Sequence, residues 1–128
     1  MQPNEILITS DTIVWHNNKA LGKPKDQHEA FEILKSLSNA THEVITSVCF
    51  KTTEKLDVIC EITKVTFNDL TDDAIRYYVE NYKPYDKAGA YGIQEWIGFT
   101  AVSRIEGSYA NVMGMPTDKV YEYLSKLV

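Results

Sequence analysis

Two runs rich in β-branched and apolar residues, VITSVCF (44–50) and LDVICEITKVTF (56–67), are parted only by the polar stretch KTTEK (51–55). Val, Ile and Thr favour extended backbone, and a link this short returns the chain antiparallel to itself. A hairpin therefore anchors whatever sheet the chain builds.

The remaining elements are arranged around that hairpin. Residues 5–9 have the character of a short buried strand that runs straight into Ser10, Asp11 and Thr12, which places Asp11 near the strand's carboxyl end. A turn rich in Asn and Lys follows at 16–19, and Asp26 is placed to cap a helix whose Ala30, Ile33, Leu34 and Leu37 recur at helical spacing. That helix ends near Ser38 and Asn39. Thr71 caps a second helix, with Asp72 and Asp73 suiting its positive end and Ile75, Tyr78 and Val79 forming its apolar stripe, and Pro84 closes it. Residues 96–105 are expected to be a strand, and Pro116 opens a last helix carrying Val120, Tyr123, Leu124 and Leu127. No repeat or low-complexity linker interrupts the chain, so one domain over residues 1–128 is expected. The order βα, hairpin, α, β, α predicts an α/β fold with a mixed, twisted sheet flanked by helices.

Charge narrows the function. Thirteen basic residues against 18 acidic ones leave a net charge of −5, which opposes general attraction to nucleic acid or an anionic membrane. Any anionic ligand must then be held by local lysines. No apolar run approaches a membrane span, and Met1 is followed by Gln2, Pro3, Asn4 and Glu5 rather than by a leader pattern, so a cytoplasmic setting is expected. Cys49 and Cys60 lie in alternating apolar stretches without CxxC spacing and are expected to be buried thiols. His16, His28 and His42 are expected at the surface rather than as ligands.

Three polar constellations interrupt the apolar pattern. In SDTIV (10–14) a carboxylate follows an apolar strand, where it can hold a divalent metal or take a proton from water, or else simply cap a turn. In LGKP (21–24) a Gly-Lys-Pro corner projects Lys23 without the GxxxxGK[ST] spacing of a P-loop, and by itself is better explained as a turn with a solvated lysine. KPYDKAGAYGIQE (83–95) offers Gly89 and Gly92 for positive φ or close approach, Lys87 as a compact charge, and Gln94 as donor and acceptor together. A surface loop closed by its tyrosines is the competing explanation.

With LSNATHEVITSV (37–48) and IEGSYANVMGMP (105–116), these segments occur in the order seen in the Maf family of nucleotide pyrophosphatases, which the chain resembles over nearly its whole length. The DKAGAYGIQ form is similar to the branch acting on dTTP and UTP. The resemblance implies a Maf/inosine triphosphate pyrophosphatase-like fold and hydrolysis of a nucleoside triphosphate to a monophosphate and pyrophosphate with Mg²⁺ or Mn²⁺, in a house-cleaning role. It implies Asp11 as proton acceptor and metal ligand, Thr12 and Gln94 in substrate choice, and Lys23 and Lys87 at the phosphates. Gly107, Ser108 and Asn111 would shape the pocket wall. The family opens with a strand and a Ser-x-x-Arg-Arg loop upstream of its DT[IV]V stretch, whereas ten residues precede Asp11 here, so an N-terminally truncated member is implied. An unpaired edge, exposed apolar surface and impaired catalysis would follow, and a nucleotide-binding or cell-division-associated regulator is the alternative. A homodimer is a further implication of the resemblance.

Overall fold

The computed structural model describes residues 5–127. Its centre is the expected hairpin: β3 (Thr41–Lys51) and β4 (Leu56–Phe67) pair antiparallel along their whole lengths, from Thr41 opposite Thr66 to Lys51 opposite Leu56. Before it come β1 (Leu7–His16) and the short β2 (Lys19–Leu21), joined by Asn17 and Asn18 at φ 52° and 62°, the left-handed pair that a two-residue hairpin requires. With β5 (Val102–Glu106) the strands lie in the order β2-β1-β3-β4-β5. Helices flank the sheet as expected of the α/β class, and every ladder among the described residues is antiparallel. The two short hairpin turns make β1–β2 and β3–β4 antiparallel of necessity, since a parallel pair needs a long crossover.

β1 differs from the short strand expected at 5–9. It continues through Ser10, Asp11 and Thr12 because these pair residue for residue with Val48, Ser47 and Thr46 of β3. Asp11 is therefore mid-strand rather than at a carboxyl end, and Leu7 and Thr9 are exposed rather than buried. The ladder overrides the turn chemistry of Ser-Asp-Thr, which is a local preference only.

The helices form where caps and periodicity place them. α1 (Gln27–Leu37) starts at Asp26, whose Oδ1 accepts the Glu29 N–H at 2.8 Å, and it buries Ala30, Leu34 and Leu37. α2 (Asp72–Tyr82) starts at Thr71, whose Oγ1 accepts the Ala74 N–H at 3.1 Å, and it ends at Lys83 in the left-handed region just before Pro84. The strand expected at 96–105 is a correction: 96–100 is a helix, α3 (Trp96–Thr100), and only the remainder forms β5. Burial of Ile97 and Ala101 at i and i+4, with the Ala101 carbonyl held by the Asn68 N–H at 2.7 Å, outweighs an aromatic and β-branched composition. A one-turn helix, α4 (Tyr109–Val112), was not expected, and α5 (Thr117–Ser125) follows Pro116.

Strand alternation gives the sheet two unlike faces. One carries Val14, Val44, Val65 and Phe67 and packs on α1, α2 and Ile97 of α3 as the core. Asn111 of α4 and Tyr123 of α5 reach the same face, Tyr123 stacking on Phe50 with centroids 3.9 Å apart. The other face leaves Leu7, Ile13, Leu56, Val58 and Ile62 exposed. Cys60 is exposed on that face and Cys49 is half-buried, so neither is the buried thiol expected. His16 and His42 are buried instead of exposed, while His28 is at the surface as expected. Their strand positions point them into the core, where Nε2 of His42 lies 2.6 Å from the Tyr91 hydroxyl.

Candidate active site

A cavity of roughly 320 Å³ opens where β1, the 22–24 corner, the 86–94 loop and the end of α4 converge. Asp11, Thr12, Lys23, Lys87 and Gln94 all border it, although they come from three separated stretches of chain. Ser10, Asp86 and residues 112–114 complete its polar and apolar rim.

The 86–94 loop is held by two buried tyrosines. Tyr78 of α2 donates to Glu95 Oε1 at 2.6 Å and accepts the Gly92 N–H at 3.0 Å, which ties it to a side chain on one side of Gln94 and to the backbone on the other. Burial first, and the Glu95 carboxylate second, push the Tyr78 hydroxyl well above its ordinary pKa, so it stays a donor. Tyr91 packs edge-on against Phe67 and His42. Burial holds the His42 pKa down at about 4, with the charge of His16 adding to the effect, so the imidazole is neutral. These core groups, rather than the loop's own composition, give the loop one shape.

Gly89 shows why this loop needs glycine. Its φ is 72°, and an added Cβ would stand 2.7 Å from Val14 Cγ2, while its N–H donates to the Gly22 carbonyl at 3.2 Å. That bond joins the 86–94 loop to the Gly-Lys-Pro corner, and Lys23 and Lys87 both border the cavity near Asp86. Gly92 has no positive φ; its absent Cβ leaves room for Lys87 Cε, 2.7 Å from where that Cβ would be.

Between the two lysines lies Asp86, which the motifs did not single out. Lys87 Nζ sits 3.3 Å from its carboxylate, and that hydrogen bond, with Lys23 adding a smaller attraction, holds Asp86 below the usual carboxylate range. Asp86 follows Pro84 and Tyr85 in the sequence, so its place beside Lys87 was the one available signal. The cavity therefore offers two carboxylates, Asp11 and Asp86. No cluster of three metal-ligating side chains exists among the described residues. Hard carboxylate oxygens without a full protein cage suit a Mg²⁺-type ion that keeps water and takes phosphate oxygens as its other ligands.

β1 and residues 112–114 bring hydroxyls and backbone to the same cavity. Thr12 Oγ1 lies 2.9 Å from Thr46 Oγ1, and Ser10 Oγ donates to the Gly114 carbonyl at 3.0 Å. Asp11, between them in β1, is exposed at the cavity's border, and alternation sends its side chain to the opposite face of the strand from Thr12. Gly107, Ser108 and Asn111 do not border the cavity; they brace α4 from behind. Ser108 caps it, Gly107 at φ 133° packs on Thr63, and Asn111 Nδ2 donates to the Val44 and Glu61 carbonyls at 3.2 and 3.1 Å.

The protein-family model described as Maf-like protein matches residues 1–127. A dTTP/UTP pyrophosphatase of Flavobacterium johnsoniae is 69% identical over the whole chain, which spans 66% of that relative. One of Flavobacterium psychrophilum is 64% identical over 94% of the chain and 62% of the relative. One of Bacteroides fragilis is 54% identical over 98% of the chain and 65% of the relative. The chain thus spans somewhat less than two-thirds of the length of these relatives.

Proposed function

This chain belongs to the Maf family, and from that premise we propose that it serves as a nucleoside triphosphate pyrophosphatase acting on dTTP and UTP. What supports the reading is one convergence: Asp11, Thr12, Lys23, Lys87 and Gln94 border a single cavity.

The triphosphate lies against Lys23 and Lys87, whose ammonium groups offset charge building on the departing pyrophosphate. The base lies toward Thr12 and Gln94, the amide offering one donor and one acceptor to a pyrimidine edge. Water attacks the α phosphorus, the bond from that phosphorus to the bridging oxygen breaks, and Asp11 takes the proton that water loses. Mg²⁺ or Mn²⁺, held by Asp11 and phosphate oxygens, would offset triphosphate charge. The setting is cytoplasmic, and among the described residues no helix is long and apolar enough to cross a membrane. Pyrophosphate release from dTTP and UTP, abolished in Asp11→Asn, supports this function; full turnover by that variant excludes Asp11 as the proton acceptor.

One observation favours a second reading, nucleotide binding without efficient turnover. Asp11 alternates away from Thr12, so its carboxylate is not aimed at the cavity floor. Calorimetry that detects UTP binding while pyrophosphate release stays at the uncatalysed rate would select it.

A further inference from the structure

The hydroxyls on the β1 side of the cavity have a direction, and for Thr12 a buried residue sets it. A threonine or serine hydroxyl has one proton to give and two lone pairs to offer. Thr46, on β3, is fully buried, and its Oγ1 lies 3.2 Å from the backbone carbonyl of Asn111 and 2.9 Å from Thr12 Oγ1. A carbonyl can only accept. The Thr46 proton therefore points at Asn111, because turning it toward Thr12 would leave two sets of lone pairs facing each other in a buried place. Thr12 must then give its own proton to Thr46. Ser10 has likewise given its proton to the Gly114 carbonyl, at 3.0 Å. Both hydroxyls turn only lone pairs toward the cavity.

We propose that Thr46 is a positioning residue for base selection: by taking the proton of Thr12, it makes this side of the cavity a reader of donors. Resting on the pyrimidine-nucleotide reading above, this selects the N3–H of uracil and thymine over the bare N3 of cytosine, which would meet the Thr12 lone pairs head-on. On that reading the lysines of the 22–24 corner and the 86–94 loop claim the phosphates, and the base is the part of the ligand placed against Ser10 and Thr12, which border the same cavity. Thr46 itself never touches the ligand.

Thr46→Val keeps the β-branched shape but removes the acceptor, which frees the Thr12 proton to turn toward a cytosine N3. Titration calorimetry with the α,β-methylene analogues of UTP, dUTP and CTP avoids turnover. Wild type is expected to prefer the UTP analogue to the CTP analogue, and Thr46→Val to shrink that ratio about tenfold, the worth of one hydrogen bond. Thr46→Ser, which retains the hydroxyl, is expected to keep the wild-type ratio. Thr46→Ala reads the same loss should the valine variant melt early. An unchanged ratio in both Thr46→Val and Thr46→Ala overturns the relay and leaves the nucleotide reading standing. A change confined to the UTP to dUTP ratio overturns the assignment to the base and moves the donor to the sugar. Wild type that binds none of the three overturns both this inference and the function it rests on.

Discussion

Gly89 lies against Val14 so closely that a methyl group on its Cα would stand 2.7 Å from Val14 Cγ2. The contact joins the loop that carries Lys87 and Gln94 to the strand that carries Asp11 and Thr12. Gly89→Ala faces both the overlap and a φ of 72°, which together are expected to cost about 2–4 kcal/mol. Urea unfolding measures this, and a loss below about 1 kcal/mol would show that the loop simply moves aside.

Tyr78→Phe removes a buried hydroxyl that serves Glu95 and the Gly92 N–H at once. The expected cost is about 1–3 kcal/mol of stability. Weaker nucleotide binding should accompany it, since the backbone around Gln94 loses its tether; hydrogen exchange at residues 91–95 reports the loosening directly. Unchanged exchange there would assign the loop's order to other contacts.

Acid sensitivity should trace to His42. Its folded pKa of about 4 lies below the ordinary 6.5, so the fold favours the neutral ring. The resulting stability is complete above pH 6.5 and is lost as pH falls toward 4, amounting to about 3 kcal/mol. His16 and Tyr91 are the titratable groups that face it, and His16 acts in the same direction by repelling a second positive charge. Unfolding midpoints from pH 7 to 4.5 should fall less steeply in His42→Phe than in wild type. Parallel profiles would place the sensitivity in the carboxylates instead.

Lys87→Ala removes a cation from the phosphate end and leaves Asp86 without its nearest partner. Nucleotide affinity should drop about 10- to 100-fold, the worth of one charge-assisted hydrogen bond, and the salt dependence of binding should flatten. Lys23→Ala should act in the same direction. Competition binding at low and moderate salt checks both, and a variant that binds as wild type does would remove that lysine from the phosphate contacts.

The order of residues by itself determined what short-range chemistry governs. Asp26 and Thr71 bond to N–H groups three residues on, Asn17 and Asn18 tolerate left-handed backbone, and the VITSVCF and LDVICEITKVTF runs keep a period of two. These depend on neighbours a few positions away, so they are legible in one dimension. The motif residues were legible for the same reason, as local strings that mark a family.

Only the tertiary structure decided which way those residues face and what holds them there. Pairing with β3 carried β1 past Ser10 and Thr12, made Asp11 a mid-strand residue, and turned it from the face that Thr12 occupies. Burial of Ile97 and Ala101 made a helix of a stretch with strand composition. Asp86 found its two lysines, His42 found Tyr91, and Thr46 came to lie beneath Thr12 through contacts between distant parts of the chain. The physical reason is common to all of them: burial and ladder register are set by what packs on the other side, and a linear pattern carries no record of that partner.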